Sequence, residues 1–357
     1  MKIEQKIIIE LLKYEDNNKV LGLMKHNPNW IEILGYLTYH RLAGLAYEKI
    51  KNLNVRNFDY PVYLNTYMIN QSQKIRTYEQ NKWINIISDE LNKKNIKYVF
   101  LKGAILNNTL FKYGSRVSND IDILIEKKSI PIITDVLNKL GFVQGKYNYK
   151  TKTIHKFTKK EIKESILTRG ETAPFVMKTN LPEIETIDID INFSIDWKPT
   201  NNNIVNDFLN HRILINKNDN IPIFSLNHYH NFIELCIHLY KDCTLIDIIR
   251  KRKVLDLYKF VDIYYYFKKY EAEINVDILY KIIKKYKLEK YIYFSLKYVT
   301  EIFPDIKNLE LENLLKSIEK DNTLNIIYDQ SNPNITMQTD TKIIDRVFSY
   351  NVINKYR

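Results

Sequence analysis

Apolar residues recur at three- and four-residue intervals from Lys2 to about Asn92, as at Ile31, Leu34, Leu37 and Leu42. That period is helical, and it predicts a helical leader over residues 1–92, with Pro28 opening one segment and Asn52 to Asn57 breaking another. The pattern then changes. Ile96 to Leu101 is a compact apolar run, and Asp and Ile alternate from Ile121 to Ile125, so both segments read as strands. Ala104 to Phe111 between them has helical character, and Ser129 to Leu140 is an amphipathic helix stopped by Gly141. Strand, helix, strand, helix makes an α/β unit. Further strands are expected at Thr153 to Phe157 and Thr186 to Phe193, joined by a polar, charged stretch that reads as a flexible loop. From His228 to about Tyr298 long helical patterns return, at Phe232 to Tyr240, Val254 to Lys268 and from Val276 onward. The resulting division is a helical region over 1–92, a mixed α+β core over 93–222 and a helical region over 223–357. No internal repeat is visible, and Asn201 to Asn203 and Asn216 to Asn220 read as turn or linker material.

Composition narrows the class. A chain of 357 residues with 45% hydrophobic content can bury a sizeable core, which argues against a disordered or fibrous protein. The formal charge of +12 is spread along the chain and suits polyanionic ligands such as nucleotides or nucleic acid. The abundance of Ile, Lys, Asn and Tyr is also what an AT-rich genome produces, so charge alone does not select a ligand. Cys236 and Cys243 lie seven positions apart within one predicted helix, too far for a bridge, and a reducing cytoplasm is expected. Glu4 and Glu10 interrupt the first apolar stretch, which does not read as a signal peptide. No apolar run reaches the roughly 18 residues needed to span a bilayer, so membrane insertion is not expected.

The chemistry concentrates between the first two strands. With only 8 glycines in the chain, Gly103 and Gly114 in this short interval mark backbone that needs them. Gly103 ends a strand and precedes a helix, where backbone N–H groups can approach a phosphate. In Asp120-Ile-Asp-Ile-Leu-Ile125 alternation sends both carboxylates to one face of the sheet and the Ile side chains to the other. Two anions so close repel, a cost that a bound cation relieves, and the spacing suits two Mg²⁺ ions about 4 Å apart for in-line phosphoryl transfer. A solvated edge strand has the same pattern. A second alternating segment, Ile187-Asp-Ile-Asp-Ile-Asn-Phe193, supplies a third carboxylate if the two strands share a sheet. Asp188 and Asp190 face the same way, so periodicity does not choose between them.

These residues carry a resemblance. Tyr98-Val-Phe-Leu-Lys-Gly-Ala104, with Arg116 and Asn119-Asp-Ile-Asp-Ile-Leu-Ile125, resembles the signature of the DNA polymerase β-like nucleotidyltransferase superfamily, and more closely the bacterial family described as uncharacterised nucleotidyltransferases. Asn29-Trp30 through Leu42-Ala-Gly-Leu45 resembles that family's leader, and Asp190-Ile-Asn-Phe193 its third-carboxylate strand, so the likeness runs from about Trp30 to Ile263. The resemblance implies a polymerase β-like core with Gly103 against the triphosphate, Asp120 and Asp122 on the metals, and Asp190 as third carboxylate with Asp188 its substitute. Two positions depart from the pattern. Ala104 stands where many superfamily members have Ser, removing a hydroxyl contact that backbone amides or Lys102 would replace. Asn192 stands where the family often has His.

Other residues have weaker claims. Lys102 and Arg116 flank the motif and are expected to neutralise the triphosphate, against the alternative of solvated surface charges. His155 is a candidate contact to nucleotide or acceptor, or a structural histidine. His228, His230 and His238 lack the spacing of a usual zinc site. His238 and Asp262 instead resemble a helical His element and an acidic position of the family, in a bundle where structural roles also suit them. Arg250-Lys-Arg-Lys253 invites nucleic acid but also reads as a solvated helix end, and Tyr264 to Tyr266 suggest packing before base stacking. The expected activity is transfer of a nucleoside monophosphate from an NTP to an acceptor hydroxyl on a small molecule, a peptide or protein, or an RNA, with release of pyrophosphate and with two Mg²⁺ ions as cofactors. The alternatives are a nucleotide- or RNA-binding module without turnover and a toxin-like enzyme that modifies tRNA or protein. The oligomeric state is not legible from the chain.

Overall fold

The structure, a computed structural model, describes residues 1–15, 18–53, 58–200, 202–215, 222–250, 255–329, 332, 334–339 and 341–349. Asn54 to Asn57 of the break predicted at Asn52 to Asn57, the linker at Asn216 to Asn220, Asn201, and Lys251 to Lys253 of the basic run lie outside them. The fold is mixed α+β, and its contacts group into two compact units: Gln71–Asn231, and Met1–Asn70 together with Phe232–Arg357. The sequence pattern divides the chain near 92 and 222, whereas the contacts divide it at 70 and 231. The helix Tyr60–Lys93 explains much of the difference. Its periodicity is continuous, but Ile84, Ile87 and Leu91 near its end belong to the core of the sheet unit.

That unit is built on eight strands: β1 (Tyr98–Phe100), β2 (Asp120–Ile125), β3 (Val143–Asn148), β4 (Thr153–Lys156), β5 (Phe175–Leu181), β6 (Ile184–Asn192), β7 (Ile213–Ile215) and β8 (Ile223–Ser225). They form one mixed sheet in the order β4-β3-β5-β6-β2-β1-β8-β7. β1 runs antiparallel to β2, and β2 runs parallel to β6. Ile121, Ile123 and Ile125 of β2 and Ile187, Ile189 and Ile191 of β6 are all buried, with Phe175 and the helix residues Ile133, Val136 and Leu137, in one core. At roughly 1.5–3 kcal/mol per fully buried large aliphatic side chain, this face anchors the register of both strands.

The stretch expected as a flexible loop between the third and last core strands is ordered. It contains the helix Lys159–Thr168 and strand β5. Thr158 and Glu161 close that helix with a capping box, a start signal whose charged surroundings masked it. β3, β7 and β8 are likewise absent from the sequence reading. They are short or carry little alternation: β7 is largely exposed, and β3 contains Gly145, where a Cβ would come within 2.5 Å of the His155 carbonyl oxygen.

The second unit is mostly helical, with helices at Ile3–Leu11, Trp30–Tyr39, Ala43–Asn52, His228–Thr244, Leu257–Tyr270, Val276–Tyr286, Glu289–Ile302 and Leu309–Ser317 among its elements. Asn29 caps the helix that Pro28 precedes, accepting from the Glu32 amide. Cys236 and Cys243 are buried free thiols, and burial pushes Cys243 up to about 12. Tyr264, Tyr265 and Tyr266 are buried, with Tyr264 stacked on Phe303, so this run packs the bundle. Among the described residues no helix is long and apolar enough to cross a membrane.

Candidate active site

The site begins where β1 ends. Lys102 has φ 47° and ψ −122°, a sparsely populated region for a residue with a side chain, costing on the order of 1–3 kcal/mol. This conformation turns the chain sharply from β1 into the helix Gly103–Thr109. From that turn the Lys102 Nζ reaches Asp122 Oδ1 at 2.7 Å. The Leu101 amide donates to the Asp122 carbonyl at 3.0 Å, tying the turn to β2.

Gly103 is required by crowding. A Cβ there would lie 2.0 Å from Ser118 Oγ and 2.8 Å from Arg116 Nη1. The glycine thus lets the segment leading into β2 lie against the helix start. Ser118 Oγ donates to the Asp120 carbonyl at 3.0 Å, fixing the entry to the strand. Arg116 is buried, against the alternative of a solvated surface charge. Gly114 adopts φ 89°, a left-handed conformation suited to glycine.

Register assembles the carboxylates. In the parallel pairing of β2 with β6, Asp120 lies opposite Asp188 and Asp122 opposite Asp190. Asp122 is buried at 5% exposure, and Asp120, Asp188 and Asp190 are half-buried. Burial, and then the charge of Asp122, push Asp120 up to about 6, opposed by Lys102 and Arg116. Asp190 is raised well above the usual carboxylate range by burial and then by Asp120, Asp122 and Glu171. Asp188 differs. It is raised by burial alone, its Oδ2 accepts from the Thr186 hydroxyl at 2.9 Å, and the charge acting on it is Arg76. The structure therefore brings Asp190, rather than Asp188, into the electrostatic group of Asp120 and Asp122.

Two further neighbours complete the surroundings, of which Glu171 carries no signal in the sequence. Asn192, at the position where His is frequent in the resemblance, donates from Nδ2 to Asp122 Oδ1 at 3.3 Å. Glu171 bridges to Asn192 across the sheet and adds its charge near Asp190. No periodic signal marks Glu171, because it stands alone before β5. His155 is exposed on β4, with β3, β5 and β6 between it and β2, so the sheet does not bring it to the carboxylates. His238 and Asp262 lie in the helical unit, His238 Nε2 being 3.9 Å from Asp242 and Asp262 being buried. Asp242 also contacts Lys259. Separately, Asp207, His211 and His230 converge within 4.8 Å, and among the described residues no other three His, Cys or carboxylate groups draw together so closely. The aspartate trio is wider.

No match to the chain is found among curated proteins. The model of one family, described as "Uncharacterised nucleotidyltransferase", matches residues 26–304, which takes in the whole sheet unit and part of the helical unit on each side of it in sequence. The chain belongs to this uncharacterised nucleotidyltransferase family.

Proposed function

We propose that the protein transfers a nucleoside monophosphate from an NTP to an acceptor hydroxyl, and that residues 93–222 form a polymerase β-like catalytic core. The observation that supports this reading is the β2–β6 register, which sets Asp122 opposite Asp190 and Asp120 opposite Asp188, with Lys102 of the turn after β1 reaching Asp122. An all-oxygen donor set of this kind fits Mg²⁺, which takes one or two carboxylates together with substrate phosphates, so the trio has no need to close into a cage. Asp120, Asp122 and Asp190 would hold two such ions. When bound, the ions neutralise charge on the phosphates and lower the cost of ionising the attacking hydroxyl.

The chain's own residues supply the rest. Gly103 opens a helix whose first amides suit the triphosphate tail. Lys102 and Arg116 offset phosphate charge, Arg116 with a planar fork and Lys102 as a point charge. The acceptor oxygen attacks the α-phosphorus, the bond to the bridging oxygen of the β-phosphate breaks, and pyrophosphate leaves in line. Asp190, in its ionised form, would take the proton from the attacking hydroxyl, and burial together with the neighbouring carboxylates makes it a stronger base than an ordinary carboxylate. A cytoplasmic setting suits the two buried free thiols. Small molecules, peptides or proteins, and RNA all carry suitable hydroxyls.

The test is incubation with each α-labelled NTP, Mg²⁺ and cell extract, with label transfer and pyrophosphate release measured together. Labelling of a defined species by wild type, abolished in the Asp120→Ala, Asp122→Ala double variant, supports the reading. Equal labelling by the double variant refutes it, and saturable NTP binding without pyrophosphate release from any NTP marks a binding module instead.

A further inference from the structure

A second group of ligating side chains lies in the sheet unit, on elements other than the carboxylate strands β2 and β6. Asp207 stands near the C-terminal end of the helix Asn202–Asn210, and His211 follows one turn later, so the two share a face. His230 comes from the first turn of the helix His228–Thr244. One ligand atom from each lies within 4.8 Å of the other two. Asp207 stands between the imidazoles, with Oδ1 3.6 Å from His211 Nδ1 and Oδ2 3.9 Å from His230 Nε2. The His230 ring is buried and held against Phe208 at 4.2 Å between centroids, and the His211 ring is 5.5 Å away on the exposed side.

The donor set names the ion. Two imidazole nitrogens and one carboxylate oxygen form a borderline set that favours Zn²⁺ and its transition-metal neighbours over Mg²⁺ or Ca²⁺, which prefer oxygen alone. Three protein ligands grading from the buried His230 to the exposed His211 leave the solvent side for a water as fourth ligand. We propose that Asp207, His211 and His230 form a transition-metal site of the Zn²⁺ class, distinct from the aspartates on β2 and β6. Its place in the fold says what the ion does. Asp207 and His211 immediately precede β7, and His230 follows β8. The ion therefore clamps the two ends of the β7–β8 hairpin, whose β8 pairs with β1, the strand that delivers Lys102 and Gly103.

The proposal does not depend on nucleotidyl transfer, and its test reads metal binding directly. The untagged full-length chain is titrated with Zn²⁺ in excess Mg²⁺, and with Co²⁺ as a spectroscopic probe of nitrogen ligation. Wild type is expected to bind one Zn²⁺ per chain and to melt at a higher temperature with it. His211→Ala, at an exposed position, is expected to keep the metal-free melting temperature and lose at least about 10-fold in Zn²⁺ affinity, the lower bound for disturbing a metal site. The Asp120→Ala, Asp122→Ala double variant is expected to retain both the stoichiometry and the Co²⁺ spectrum. Absence of saturable Zn²⁺ binding in wild type, undiminished binding in His211→Ala, or loss of binding in the aspartate double variant would each overturn it.

Discussion

Asp120 is expected to weaken the metal-free protein that it serves. Burial and the neighbouring Asp122 raise it from 3.8 to about 6, which at about 1.4 kcal/mol per pH unit corresponds to about 3 kcal/mol against the ionised form. Between those two pH values the native chain holds a proton that the unfolded chain has released, so this group's contribution to stability falls as pH rises from about 4 to 6. Above pH 6 the penalty is fully present. Asp120→Asn removes the charge at nearly constant volume but keeps a polar amide in a half-buried position, so the gain expected at pH 8 is on the order of 1 to 2 kcal/mol. The assay is urea unfolding in EDTA by tryptophan fluorescence, in a Trp30→Phe background so that Trp83 and Trp197, both in the sheet unit, report. The variant should unfold at higher urea at pH 8 and match wild type near pH 4. Saturating Mg²⁺ should stabilise wild type more than the variant. A variant equal to or weaker than wild type at pH 8 without metal would refute the electrostatic account.

Three further outcomes are expected. Asp190→Asn should lower kcat by about 100-fold or more, the usual scale for a lost general base, while Asp188→Asn should stay within a few-fold, because Asp188 answers to Thr186 and Arg76; steady-state kinetics with the identified acceptor separates the two. Gly103→Ala should destabilise by about 1–3 kcal/mol in urea melts despite the better helix propensity of Ala, since the new Cβ meets Ser118 at 2.0 Å, and adding Ser118→Gly should recover part of the loss. Asn192→Ala removes a donor to the buried Asp122 carboxylate and should cost about 1 kcal/mol by the same measurement.

Much of this arrangement was legible in the chain because it rests on periodicity. Alternation in Asp120–Ile125 and Ile187–Phe193 fixed which side chains face the core, and scarcity of glycine singled out Gly103. What periodicity cannot carry is pairing. Asp188 and Asp190 are equivalent along one strand, and only the hydrogen-bond partners across the sheet, together with Thr186 and Arg76, separate them. Gly103 is a related case: the sequence reading assigned its missing side chain to a phosphate, and the structure fills that space with Ser118 and Arg116. Glu171 carries no local signal, and the Asp207–His211 spacing of one helical turn says nothing of His230, which joins the pair only through a tertiary contact. The helix Lys159–Thr168 had a signal, the Thr158–Glu161 box, hidden by the surrounding charge.

The helical unit is assembled from two stretches of chain that flank the sheet unit, and this bears on how the protein is made. At about 5 to 20 residues per second, translation of residues 71–231 occupies roughly 10 to 30 s. During that time the sheet unit can complete its core, but the first 70 residues cannot. Ile7, Ile8, Leu12 and Leu37 are buried in the finished unit, the Tyr14 amide awaits the Tyr264 hydroxyl, and the Tyr36 hydroxyl awaits the Phe348 carbonyl near the far end of the chain. The nascent N-terminal helices can thus pack on one another as they emerge, while the Tyr14 amide and the Tyr36 hydroxyl wait for partners made more than 200 residues later.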